Sequence, residues 1–84
     1  MEILIDVEKL YKEENEETAK IANIDKYIKK ALSIAGEGNS IILTGQGPIW
    51  LYLKLAHALH GKAIKLIYRS PVTKDLIIFD HSPF

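Results

Sequence analysis

Ser40-Ile-Ile-Leu-Thr44, Gly45-Gln-Gly-Pro48 and Ile49-Trp-Leu-Tyr-Leu-Lys-Leu-Ala-His-Ala-Leu59, closed by His60-Gly61, decide how this chain folds. The first five residues are a β-branched, apolar run between turn signals, the pattern of a buried central strand. Gly45 to Pro48 makes a tight turn. Pro48 suits a first helical turn, where its missing N–H would have no partner anyway. From about Ile49 to Leu59 a helix follows, apolar on most sides and therefore expected to be largely covered, and Gly61 ends it. A strand whose Gly-rich turn opens a helix is a general anion-binding device. Glycines let a ligand approach the backbone, and the helix start offers free N–H groups and a positive dipole end. It is neither a Walker loop, since no Gly-Lys-Ser/Thr follows, nor a dinucleotide fingerprint, since the third glycine and spaced acid are missing. The same pattern also serves as a plain β–α turn that needs glycine and binds nothing.

Working outward, Ile3, Leu4, Ile5 and Val7 suit a short first strand. Lys9 to Glu17 is polar and charged and reads as a long turn or mobile loop. In Thr18 to Ile24, Ile21 and Ile24 fit a helix while Ala22 and Ile24 alternate; the stretch is read as a strand paired with the first. Asp25 can cap a helix, whose face is marked by Tyr27, Ile28, Ala31, Leu32 and Ala35 and which Gly36 and Gly38 stop. Ala63 to Tyr68 and Leu76 to Phe79 are two further strands, joined through Pro71 in a loop that suits a hairpin. The order predicts an α/β sandwich with a mixed sheet and two main helices.

The chain has 84 residues, read as one domain, 1–84. So small a unit buries only about 60–65% of its unfolded surface; with 48% of its residues hydrophobic, oligomerisation is the natural use of the excess. Cysteine is absent, which excludes disulfides and thiolate zinc sites. No segment resembles a signal peptide and no apolar run approaches the ~20 residues of a membrane span, so a cytoplasmic protein without membrane contact is expected. Net charge is zero but unevenly spread. Residues 1–37 hold nine acids against six lysines, whereas nothing from Gly38 to Lys74 is acidic. That second half can face an anion such as a phosphodiester, or simply carry solvated lysines.

Trp50 can stack on a base, worth ~1–3 kcal/mol, or anchor packing. His57 and His60 are three apart on one helix and share a face with Trp50 and Leu53. Such a pair can hold a metal, flank a substrate or act as general acid and base. No carboxylate in the helix completes a metal site, and one buried and one exposed histidine is the plainer arrangement. Phe79-Asp80-His81-Ser82 adds a carboxylate and a third imidazole at the end of a predicted strand.

Thr44-Gly-Gln-Gly-Pro-Ile-Trp-Leu51, Ala56-His57, His60, Tyr68 and His81-Ser82 together resemble the Csx-three family of CRISPR-associated proteins, also called ring nucleases, type three. The likeness covers roughly residues 40–82, and the Gly-Pro-Ile-Trp-Leu run with its trailing histidines is its most specific part. It implies a small Rossmann-like, distantly CARF-like fold and a dimer, with two dimers around one ring of four adenylates. It also implies manganese-dependent cleavage of that cyclic oligoadenylate, which switches antiviral signalling off; DNA is not an implied partner. Carried onto this chain, the catalytic residue is His60. Ligand-binding positions are Thr44, Gly45, Gln46, Gly47, Pro48, Trp50, His57, Ser70 and His81. Where the family has an acid after the strand-ending tyrosine, this chain has Arg69, which suits phosphate binding or transition-state charge and joins His60 as a catalytic candidate. Family members continue through another strand past the position of Phe84. Three functions follow as expectations: a ring nuclease, a binding protein that sequesters the ring uncut, or a structural subunit using the Trp50 helix as an interface.

Overall fold

A computed structural model describes residues 1–82; residues 83 and 84 of the expected 1–84 unit lie outside the described ones. Strands β1 (Glu2–Asp6), β2 (Ser40–Thr44), β3 (Lys65–Tyr68) and β4 (Leu76–Asp80) form one sheet in sequence order. The first three are parallel, and β4 returns antiparallel as the hairpin partner of β3. Helices α1 (Val7–Lys12), α2 (Ile24–Ala35) and α3 (Ile49–Leu59) complete the chain. The expected mixed sheet and two main helices are present.

Alternation in the strands separates the two faces. Ile5, Ile41, Leu43 and Leu66 are buried in one core with Tyr27, Ala31 and Ala35 of α2 and Leu51, Leu55 and Leu59 of α3. Their neighbours Leu4, Ile42, Ile67 and Ile77 sit in register across all four strands on the opposite face. Both parallel crossovers therefore carry their helices to one side, as the right-handed rule requires.

Four local expectations are corrected. Lys9 to Glu17 is not loop throughout: α1 reaches Lys12, capped by the Asp6 carboxylate, which accepts the Glu8 N–H at 3.0 Å. Thr18 to Ile24 is not a strand. It forms a 3₁₀ turn at Ile21–Asn23 that runs into α2. The buried Tyr27 hydroxyl accepts the Lys20 N–H at 2.9 Å and donates to Glu16, pinning this segment to α2. Asp25 lies within the first turn, and Asn23 holds the cap position without a side-chain cap bond. Finally, α3 is covered along only one stripe. Leu51, Leu55 and Leu59 are fully buried while Ile49 is 79% and Leu53 66% exposed.

Candidate functional site

The turn after β2 is shaped by the β1–α1 junction. Gly45 has φ of 97°, and a Cβ there would lie 2.1 Å from an Asp6 carboxylate oxygen. A Cβ at Gly47 would lie 2.7 Å from Val7 Cγ1. Glycine is thus required at both positions by the close packing of this junction. Two tyrosines then hold the turn. Tyr11 Oη of α1 donates to the Gln46 carbonyl at 3.0 Å, and Tyr52 Oη of α3 donates to the Gly45 carbonyl. Pro48 stands at the helix cap, where its carbonyl accepts from the N–H groups of Leu51 and Tyr52. Among the described residues no protein acceptor takes the N–H of Gln46, Gly47, Ile49 or Trp50. These four donors gather at the positive end of α3, the arrangement that favours an anion.

A cleft of about 1150 Å³ opens between this turn, α3 and the β3–β4 hairpin. Thr44, Gly45, Gln46 and Gly47 form one end, with Tyr52, Leu53, Tyr68 and Ile78 along its sides. The Tyr52 and Tyr68 rings meet edge to face, 5.4 Å apart. Burial, and then neighbouring Tyr68, push the Tyr52 hydroxyl up to about 12, so it remains a donor far above neutral pH. Burial raises Tyr11 as well, helped by Glu8 and Asp6. Trp50, expected as a stacking residue, is half-buried against the core and does not line the cleft. Aromatic surface in the cleft comes from Tyr52 and Tyr68 instead.

Folding brings acids onto the acid-free half of the sequence. Glu8 lines the cleft, Asp6 abuts Gly45, and Glu37 pairs with Lys62 at 2.9 Å. Asp75 takes Arg69 in a two-point contact, Nε at 3.0 Å and Nη2 at 2.9 Å. This contact raises Arg69 and holds the Asp75 carboxyl below its usual range. Arg69 is outside the cleft lining; its backbone carbonyl accepts the Thr44 hydroxyl at 2.9 Å. Ser70 Oγ accepts the Val72 N–H at 3.2 Å within the hairpin loop.

The histidines divide. His57 is exposed on α3 and makes no ring contact with His60. His60, just past the last turn, has Nε2 3.0 Å from Nε2 of His81, and Phe79 packs edge-on against it at 4.9 Å. His81 stacks on Phe79. Asp80, beside them, accepts the Ser82 hydroxyl and N–H, which hold its carboxyl below the usual range.

This histidine pair and the glycine turn are at opposite ends of the sheet. Helix α3 starts at the C-terminal end of β2 and runs back for 11 residues, ~16 Å at 1.5 Å per residue. Because β4 is antiparallel, Asp80 pairs with Lys65 at the start of β3, which puts His81 at that same far end. The sequence reading joined these groups in one site; within one copy they do not meet. Among the described residues no three His, Asp or Glu side chains form a metal-holding group, so one copy's own donors do not fit manganese. Tyr11, Asp6 and Glu8 were missed because they are distant in sequence from the turn. Tyr52 carried a signal, since a residue four after Pro48 faces back over the turn that opens the helix.

No helix among the described residues is long and apolar enough to cross a membrane. No curated protein and no solved structure matches the chain. The family model of CRISPR-associated protein (Cas_csx3) matches residues 18–84, which takes in the turn, α3, both tyrosines of the cleft wall and all three histidines. On that match the chain belongs to the Cas_csx3 family of CRISPR-associated proteins.

Proposed function

We propose that this protein binds cyclic oligoadenylate, a ring of four adenylates in the first instance, and cleaves it, so ending the signal of type III CRISPR defence. The observation that carries the reading is the row of unaccepted N–H groups at Gln46, Gly47, Ile49 and Trp50, in a member of a CRISPR-associated family. A ring phosphate can accept from these donors, with the cleft beside them for the attached nucleoside.

Cleavage of an RNA ring needs no outside nucleophile. A ribose 2′-oxygen attacks the adjacent phosphorus, the 5′-oxygen leaves, and the products are a 2′,3′-cyclic phosphate and a 5′-hydroxyl end. His60 removes the 2′ proton or protonates the leaving oxygen, and His81 at 3.0 Å is its proton partner. Since turn and histidines are at opposite ends of one copy, the reading requires the ring to lie between copies, the turn of one and the His60–His81 pair of the next. Dimers stacked in this way give each ring both surfaces.

A second reading, sequestration without cleavage, is favoured by the Arg69–Asp75 contact, which engages the guanidinium expected to stabilise transition-state charge. Incubation with cyclic tri-, tetra- and hexa-adenylate, with and without manganese, followed by chromatography under single turnover, separates the two. Linear product supports the nuclease. Tight binding with the ring recovered intact supports sequestration, and absence of binding overturns both.

A further inference from the structure

We infer that Tyr11 and Tyr52 are positioning residues that aim the two turn N–H groups, Tyr52 that of Gln46 and Tyr11 that of Gly47. The inference rests on the phosphate role proposed above for the turn. A peptide unit is planar, and in its trans form the carbonyl and the following N–H point in opposite directions. No cis peptide occurs among the described residues. The Gly45 carbonyl and the Gln46 N–H therefore belong to one plane, and so do the Gln46 carbonyl and the Gly47 N–H. Tyr52 holds the first carbonyl and Tyr11 the second. Each hydroxyl draws one oxygen inward against a helix and so turns the opposite N–H away from it.

Such a brace has work to do here. Glycines on both sides of Gln46 leave these peptide planes unusually free to rotate, and one flip would present a carbonyl oxygen to a phosphate in place of a donor. The two braces come from different helices and are themselves fixed. Tyr11 is buried, packed in the core. Tyr52 is wedged edge-on against Tyr68. Ile49 and Trp50 need no equivalent, because helical geometry already sets their N–H directions.

The test uses the full chain, ¹⁵N-labelled, titrated with cyclic tetra-adenylate and separately with inorganic phosphate. In the wild type the amide protons of Gln46 and Gly47 move downfield as ligand binds. Tyr52→Phe, which keeps the ring contact with Tyr68, is expected to lose the Gln46 movement and keep that of Gly47. Tyr11→Phe is expected to do the reverse. Each variant binds the ring about tenfold more weakly, the scale of one charge-assisted hydrogen bond. A general loss of structure cannot produce this crossed pattern. If both variants bind as the wild type with both amides moving, or if either variant loses both responses together, the positioning role is overturned. If the wild type binds the ring and neither amide moves, the phosphate role of the turn itself fails. If it does not bind the ring at all, the proposed function falls first.

Discussion

Nε2 of His60 lies 3.0 Å from Nε2 of His81, across the seam between the end of α3 and the end of β4. At that distance one ring donates and the other accepts, so the pair can hold one imidazole in a defined tautomer for proton transfer. General acid–base help is typically worth about 10²–10⁴-fold. We expect His60→Ala to cut the single-turnover rate at least about a hundredfold while ring affinity changes little, the split that marks an interaction made mainly in the transition state. Unchanged cleavage in that variant removes His60 as a catalyst.

Arg69 and Asp75 make a sharper prediction together than either alone. If Arg69 contacts a phosphate, it must exchange the Asp75 carboxylate for it. Arg69→Ala should weaken ring binding by more than about 1 kcal/mol, and binding should fall with salt as phosphate contacts release counterions. Asp75→Asn, which frees the guanidinium, should tighten binding. Equal affinities in wild type and both variants would exclude the contact.

Alkaline titration reports on the turn. Tyr52 is held up to about 12, against an ordinary tyrosine value of 10.0. Between these values the unfolded chain loses the proton first, so the stabilisation that Tyr52 contributes is complete below pH 10 and is lost as pH rises through 12. Tyrosinate absorbance should show a late step near pH 12 that is smaller in Tyr52→Phe, the remainder coming from the other buried tyrosines, Tyr11 and Tyr27, which burial also raises.

Gly45→Ala should cost at least about 2 kcal/mol, since the methyl collides with the carboxylate that caps α1 and the backbone has positive φ. Gly61→Ala is the control. Nothing lies within 4 Å of its added Cβ, and its stability should change by less than about 1 kcal/mol. Urea unfolding curves compare the two.

A folded monomer is not expected in solution. Ile49 and Leu53 on α3 and Leu76, Ile77 and Ile78 on β4 are exposed in a single copy, more apolar side chain than so small a chain normally leaves in water. Light scattering at micromolar concentration should give a dimer or larger species; a monomer with native circular dichroism would contradict the oligomer.

Much of the architecture was legible in residues 40–80 because each element there carries its own local signal. Ile41, Ile42 and Leu43 form a continuous apolar run, Pro48 opens a helix, Gly61 closes it, and Pro71 marks a hairpin loop. The first strand was legible too, but residues 9–24 misled because their structure is held by partners elsewhere. Tyr27 anchors Glu16 and Lys20, and the packing of Asp6 and Val7 on Gly45 and Gly47 joins positions almost forty residues apart. The sequence by itself determined a strand, a glycine turn and a helix, since propensity and period act over a few neighbours. Only the tertiary structure decided that the turn is held by Tyr11 and Tyr52 and that His60 stands with His81 at the far end of the sheet. Those relationships depend on strand order and on the antiparallel return of β4, which bring together residues that no local pattern connects.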